Sequence, residues 1–463
     1  MLDSFLTIAT HPLLWIFIGL TVVFYGVQGV VGRSAEAPTA PDDRIRRLAE
    51  KVGMKGLHPV LFLILLLTWG IVAGTLFAGL YAILWQVIFH APPEAAENVW
   101  NWRFTLAQLV ALTTVLGAVI ALPITINRLI LTRRQTETAE DALFNDKVSV
   151  ATTDLATRRQ ITREVGEGEH MRILSEWQDD ILVRAAAIDR LEGLADEREA
   201  EAPRIARTLA LYVRELSREY PPEEMQEEDT RHNSKIRRWV RAVKAARPDI
   251  ESAVQSLGRL NTSGKLGAIG IDLRRANLQG ISLSGLNFSN ASFLSAALQG
   301  VELRGAHLQG ANFLGAQLQG ANVMGAQLQR ADLRVAKLQG ADLVGAQLQG
   351  ADLMYAELQG ADLIAAQLDG ADLTGTKMDK STLLSAANFS ASALRGSDFT
   401  SVPQIADHVM YAFGDGSVRL PDGVEWPAHW PTFELDYDQF DEEWRKWQAD
   451  PETYVPPEAP DEE

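Results

Sequence analysis

Histidines and carboxylates are the side chains best able to do chemistry here, and their spacing decides what they can do. Eight histidines are scattered along 463 residues. No two stand three or four apart, the helical spacing that brings two imidazoles to one metal ion. His170 has Glu167 and Glu169 beside it, but in a glycine-interrupted stretch with no third partner, so it reads as an isolated surface histidine. Ser263-Gly264-Lys265 lacks the glycine spacing of a phosphate loop, and no GxGxxG, HExxH or GxSxG pattern occurs. The absence of cysteine removes disulfides, thiolate metal sites, a cysteine nucleophile and iron–sulfur clusters together. We therefore expect no enzymatic activity and no cofactor. The carboxylates carry more pattern. Asp332, Asp352 and Asp372 follow Asn312 at intervals of twenty residues, and Asp342 and Asp362 follow Asn322 in the same way. Such spacing matters only if the chain returns to the same place every twenty residues.

A repeat that would do so runs through the second half of the chain. From Ile271 the sequence falls into five-residue units of the form A-(D/N)-L-x-x, with an apolar centre at Leu273, Leu278, Leu283, Phe288 and onward to Met378. After a one-residue shift the register resumes at Leu384, Phe389, Leu394 and Phe399. A small residue, usually Ala, stands two before most centres. A period of five fits neither a helix nor a simple strand, so each unit must turn the chain through a fixed angle and the array must be a solenoid. On these residues, over roughly 271–400, the chain resembles the pentapeptide-repeat family. The resemblance implies a right-handed quadrilateral β-helix, four units to a coil, its interior filled by Leu and Ala and without a ligand pocket. At ~4.8 Å per coil, the rod would be roughly 31 Å long. The Asp series then become columns of carboxylates ~4.8 Å apart, which repel by only about 1 kcal/mol per pair in water. They read as a solvated face or as a surface for a cation or a partner. Gln279, Gln299, Gln319, Gln339 and Gln359 should stack as an amide ladder.

The acidity of the chain is local. Of the formal charge of −17, the segment 402–463 carries −13, whereas 263–401 holds 11 acids against 10 bases. Some members of the resembled family mimic DNA with an acidic rod and protect gyrase. This rod intersperses Arg330, Arg334 and Lys337 among its aspartates, so nucleic acid is not an expected partner and DNA mimicry is a minor alternative. In the tail, Asp415-Gly416 and Asp422-Gly423 signal turns. With Trp426 and Trp430 they suit a cap on the open end of the rod. The acidic helical stretch around Phe440, Trp444 and Trp447 could fold back on the rod or recruit a partner. The last residues read as disordered.

Three uncharged runs, 12–32, 59–89 and 104–127, are long enough to cross a bilayer as helices, the second with length to spare. The loop 33–57 and the residues after 127 are rich in Arg and Lys, and the loop between the second and third runs holds only Arg103. The positive-inside bias then places the N-terminus outside and everything beyond 128 in the cytoplasm. Gly70, Gly74 and Ala78 put small residues on one helical face, suited to packing within the chain or to an oligomer. No ionisable residue lies in the runs, which argues against a pump or secondary transporter.

Residues 128–165 are expected to continue as helix. Two apolar stripes, Ile181 to Leu194 and Ile205 to Leu216, predict a helical pair, the second opened by Pro203. After Pro221-Pro222 and an acidic linker, a basic cluster from Arg231 to Arg247 sits on a further predicted helix. It could meet an anionic partner such as lipid headgroups, or be a solvated face. The expected organisation is therefore three transmembrane helices in 1–127, a cytoplasmic helical region in 128–262, the solenoid in 263–401 and a cap with an acidic tail in 402–463. The layout resembles a set of bacterial pentapeptide-repeat membrane proteins, in the membrane helices, in VRAAAIDRLEGLADE and LALYVREL, in the repeats and in FGDGS of the tail. That resemblance confers no activity. The expected role is a membrane-anchored scaffold or adaptor for a cytoplasmic protein, with a homo-oligomeric channel or accessory subunit as the alternative. The residues expected to meet a partner are Asp332, Asp342, Asp352, Asp362, Asp372, Trp444 and Trp447.

Overall fold

The computed structural model describes residues 59–89, 96–165, 172–226, 233–267 and 270–459. The chain divides into two compact units, Met1–Leu143 and Phe144–Glu463. The first expected span, 12–32, the loop 33–57 and His170 with its two glutamates lie outside the described residues.

In the first unit, α1 (Pro59–Phe89) coincides with the second uncharged run. The third run lies within α2 (Ala96–Asp154), a 59-residue helix with Pro123 inside it. Leu63–Phe89 and Trp100–Asp154 are long and apolar enough to cross a membrane. Their large side chains, among them Phe77, Ile88, Phe104 and Ile124, face outward. The Trp69 indole N–H donates to the Val119 carbonyl at 3.2 Å, and a Cβ on Gly79 would touch Leu112. Thr hydroxyls in these helices turn back on their own backbone. Thr75 donates to Val72 at 3.0 Å, Thr113 to Leu109 at 2.9 Å and Thr125 to Ala121 at 2.9 Å. That bonding satisfies the hydroxyls without a neighbouring helix.

The second unit opens with the last turns of α2, where Phe144, Val148 and Ala151 are buried. The expected helix through 165 ends at Asp154 instead. It is followed by an antiparallel hairpin of β1 (Arg158–Val165) and β2 (Arg172–Asp179), paired from Arg158–Asp179 to Val165–Arg172. The β-branched residues Ile161, Thr162 and Val165 favour a strand over a helix. Next come α3 (Ile181–Glu197) and α4 (Ala202–Glu219), the expected pair, with Pro203 in the first turn of α4. α5 (Asn233–Ala242) and α6 (Pro248–Thr262) complete the helical part, α6 packing on both α3 and α4. A buried charge cluster ties the hairpin to this bundle. Asp249 accepts from Tyr212 at 2.7 Å and from Arg247 at 2.8 Å, and Asp179 accepts from Arg184 at 2.7 Å and from Arg247 at 2.5 Å. Burial pushes the Asp179 carboxyl up, but Arg247 and Arg184 outweigh it and hold the group below its ordinary range.

The solenoid stands directly on α6. A side chain on Gly258 would sit 2.9 Å from both Leu286 and Phe288, so only glycine lets the helix approach the first coil this closely. From Asp272 onward, parallel bridges join residues twenty apart, as in Asp272–Ser292, Asn277–Ala297, Ser282–Glu302 and Asn287–His307. Each coil has four sides. Side 1 is centred on Phe293, Phe313 and Leu333, side 2 on Leu298 and Leu318, side 3 on Leu303 and Val323, and side 4 on Leu308 and Leu328, with Ala filling the space between centres. The expected one-residue shift appears as the bridge Asp362–Leu383, twenty-one apart. The ladder also runs past the last sequence repeat, through Ala393–Phe413 and Asp398–Arg419. The cap segment thus adds backbone pairs before it closes the end.

Closure uses the aromatic tail. The Trp430 indole donates to the Ala412 carbonyl at 2.8 Å, and Phe413 lies 5.3 Å from Phe440 and 5.5 Å from Trp447 between ring centroids. α7 (Tyr437–Ala449) starts with a reciprocal cap, in which Asp436 accepts from the Gln439 N–H at 2.8 Å and Gln439 accepts from the Asp436 N–H.

Candidate interaction surface

The four sides of the solenoid differ in what covers them, and this sorts the expected partner residues. The residue just before each centre points outward and pairs its backbone with the next coil. On side 1 these are Asn312, Asp332, Asp352 and Asp372, and on side 3 they are Glu302, Asn322, Asp342 and Asp362. Both expected carboxylate columns are therefore real stacks. Each aspartate of the two columns also has a local task, accepting the N–H two residues on. Asp342 takes Val344 at 3.1 Å, Asp362 takes Ile364 at 3.1 Å and Asp372 takes Thr374 at 2.9 Å. Asn312 does the same for Leu314 at 2.9 Å, so the turn needs an acceptor rather than a charge.

The two columns are electrostatically distinct. On side 1, Arg334 binds Asp332 at 2.7 Å and lies 3.4 Å from Asp352. The hydrogen bond from Arg334 holds the Asp332 carboxyl low, while burial raises those of Asp352 and Asp372. Side 1 is also partly covered. At its corner with side 4, Trp444 and Gln448 of α7 both donate to the Ala391 carbonyl at 2.9 Å. At its other corner, Tyr437 reaches Met354. Trp447 is buried in the cap, stacked on His429 at 5.0 Å, and is a core residue with no face for a partner. Trp444 is half-buried in the same contact.

Side 3 is different. Among the described residues, Asp342 and Asp362 have no ion-pair partner, and a Cβ on Gly305, Gly325 or Gly345 at its outgoing corner would meet nothing. Met324, Val344 and Ile364 run down that corner, one per coil and half-exposed. Sequence reasoning missed these three. Their signal was available as an apolar residue after three successive centres twenty apart, where the corners after sides 2 and 4 carry mostly Gln and the corner after side 1 mixes Leu314 and Met354 with Arg334 and Thr374.

Side 2 ends in a corner covered by α5. Ile236, fully buried, and Val240 point at the column Gly300, Gly320 and Gly340, and the Asn233 amide donates to the Gly360 carbonyl at 3.0 Å. Beneath them the corner glutamines turn inward instead of facing solvent, Gln279 and Gln299 each only 1% exposed. The straight amide ladder expected for these residues forms at one step, Gln279 to Gln299 at 3.0 Å. Elsewhere the amides run diagonally, Gln299 to Gln317 at 2.7 Å and Gln339 to Glu357, because the residue before the next centre is the nearer acceptor.

Among the described residues no three His, Cys, Asp or Glu side chains gather as a metal site. A groove of about 280 Å³ between α4 and the first coil is lined by Arg207, Leu211, Arg214, Ile271 and Asp272 among others, which supply no nucleophile and base pair.

The chain matches the pentapeptide repeats family (8 copies) over residues 271–310, 296–334 and 331–366. Pentapeptide repeats imply a right-handed β-solenoid, in keeping with the expected fold. Among solved structures the chain is similar to Rfr23, a pentapeptide repeat protein from the cyanobacterium Cyanothece 51142, at 34% identity over 26% of this chain and 68% of that one, with a TM-score of 0.15. It is similar to HetL, a pentapeptide repeat protein involved in heterocyst differentiation regulation from the cyanobacterium Nostoc, at 27% identity over 32% and 74%, TM-score 0.18. It is also similar to QnrB1, a plasmid-mediated fluoroquinolone resistance protein, at 23% identity over 35% and 88%, TM-score 0.18. No curated protein matches the chain.

Proposed function

Given that the chain belongs to the pentapeptide-repeat family, we propose that it is a membrane-tethered scaffold whose solenoid presents side 3 to a cytoplasmic protein. One observation carries this reading. Side 3 joins two unpaired carboxylates, Asp342 and Asp362, to an apolar stripe of Met324, Val344 and Ile364, with no element of the described chain covering them. An apolar strip edged by charge is what a specific protein interface needs. A partner helix with apolar residues on one face and Lys or Arg beside them would complement it.

The tether is α1 and α2, joined by the run 12–32, in a bacterial inner membrane with the N-terminus outside and the solenoid in the cytoplasm. Their outward apolar side chains support it. The alternative of a homo-oligomeric channel requires polar groups converging on an axis, and the Thr hydroxyls at 75, 113 and 125 are engaged with their own helices. Gyrase protection by DNA mimicry needs an acidic rod, and Arg334 neutralises part of side 1.

The test is affinity capture of the tagged full-length chain from cells crosslinked before lysis, with Asp342→Lys/Val344→Lys compared against Gln347→Lys on side 4. The reading predicts a protein captured by the parent chain and by Gln347→Lys, and lost from the double variant. Capture unaffected by the side 3 changes would refute it.

A further inference from the structure

We infer that α5 is a second membrane contact, a basic helix that rests on anionic lipid headgroups and fixes how the solenoid meets the bilayer surface. The inference builds on the tether proposed above and concerns a different element.

The packing of α5 uses one face only. Asn233, Ile236 and Val240, spaced three and four apart, meet the glycine column of side 2. Arg241 stands four residues from Arg237 and three from Arg238, within one turn of the helix, and all three are exposed. Lys244 follows just beyond the helix, also exposed. Among the described residues none of these four has an ion-pair partner, although the second unit pairs most of its other arginines internally, including Arg184, Arg247, Arg259 and Arg334. The solenoid gains nothing from these bases, because glycine-to-Ile236 and glycine-to-Val240 contacts hold the helix. Trp239 lies at the edge of the same helix, half-exposed, where an indole suits a headgroup region.

Charge distribution adds direction. α5 lies on the corner between sides 2 and 3, diagonally across the coil from the corner gripped by the acid-rich tail through Trp444 and Gln448. An anionic surface attracts the first corner and repels the second, so the solenoid is turned with α5 toward the headgroups and α7 away. Exposed bases near such a surface attract it within about one Debye length, ~8 Å in physiological salt.

The chain contains no cysteine, so Ser234→Cys on the exposed side of α5 gives a single labelling site. The full-length labelled chain is reconstituted into phosphatidylcholine vesicles, or into vesicles with about a third phosphatidylglycerol. Both carry a headgroup-attached quencher. The expected result is severalfold stronger quenching in the anionic vesicles, lost in about 0.5 M salt and lost in Arg237→Glu/Arg238→Glu/Arg241→Glu, whose buried face is unchanged. Equal quenching in both lipids overturns the inference while leaving the tether intact. Shielding of the label that grows with protein density and ignores lipid charge also overturns it, in favour of an acidic segment of a second copy. Failure of the chain to float with neutral vesicles refutes the tether instead, and quenching by anionic vesicles added to the protein still decides the role of α5.

Discussion

Val335 closes a corner of side 1 at a φ of 57°, a backbone conformation in which most equivalent corners of the solenoid carry glycine. A β-branched residue there costs about 1 kcal/mol relative to glycine, and the side chain is 52% exposed, so little burial offsets it. Val335→Gly should therefore raise the unfolding free energy by about 1 kcal/mol, read from the denaturant midpoint. Asp372 poses a different problem. Its carboxylate accepts the Thr374 N–H but has been drawn out of water above Asp352, and burial raises its pKa. Asn keeps the acceptor without the charge, as Asn312 does in the same column. Asp372→Asn should be stabilising at neutral pH by about 1 kcal/mol or less, the scale of one stacked carboxylate pair. The gain should shrink as pH falls through the raised pKa, where the native carboxyl is protonated anyway. A gain independent of pH would argue that packing, not charge, is responsible.

Among elements, the C-terminal cap is the one expected to respond to mild acid. His408 bonds the Leu384 carbonyl and packs on Phe389, and His429 bonds the Ala412 carbonyl and stacks on Trp447. Burial lowers both pKa values below the ordinary 6.5 and outweighs the raising effect of the carbonyls and, for His408, of Asp407. Below about pH 6.5 the unfolded cap takes up protons that the folded cap refuses, so its stability falls as pH falls through that range. Hydrogen exchange should show residues 405–447 losing protection between pH 7.5 and 5.5, with the coils from Phe293 to Leu353 unchanged. Uniform loss along the rod would contradict this. The elements also differ in how far they could be read from the sequence. The coils were legible because a five-residue period fixes both the turning angle and the inward residue. The cap was legible from Asp-Gly turns and tryptophans. The hairpin β1–β2 was not, because Arg158, Arg159, Gln160 and Arg163 offer no apolar face and the charges read equally well as a solvated helix.

At the scale of the molecule, adjacency was hidden. Nothing local tells that Ile236 and Val240 will lie on glycines sixty to a hundred residues further on, or that Trp447 will be buried against His429. Both are decisions of tertiary packing, and they determine what remains exposed. The carboxylate columns could be placed from the twenty-residue interval alone. Which column is free depended on Arg334, on α7 and on the open corner of side 3, so only Asp342 and Asp362 survive as the charged part of the proposed surface, now joined by Met324, Val344 and Ile364. Side 3 is proposed as a protein interface. Its most direct test is a photo-crosslinking amino acid placed in the full-length chain in living cells, at Val344 on side 3 and at Gln347 on side 4. One discrete heterologous adduct is expected from position 344 and none from 347, identified by mass spectrometry. Adducts only with other copies of the chain, or the same adducts from both positions, would contradict it.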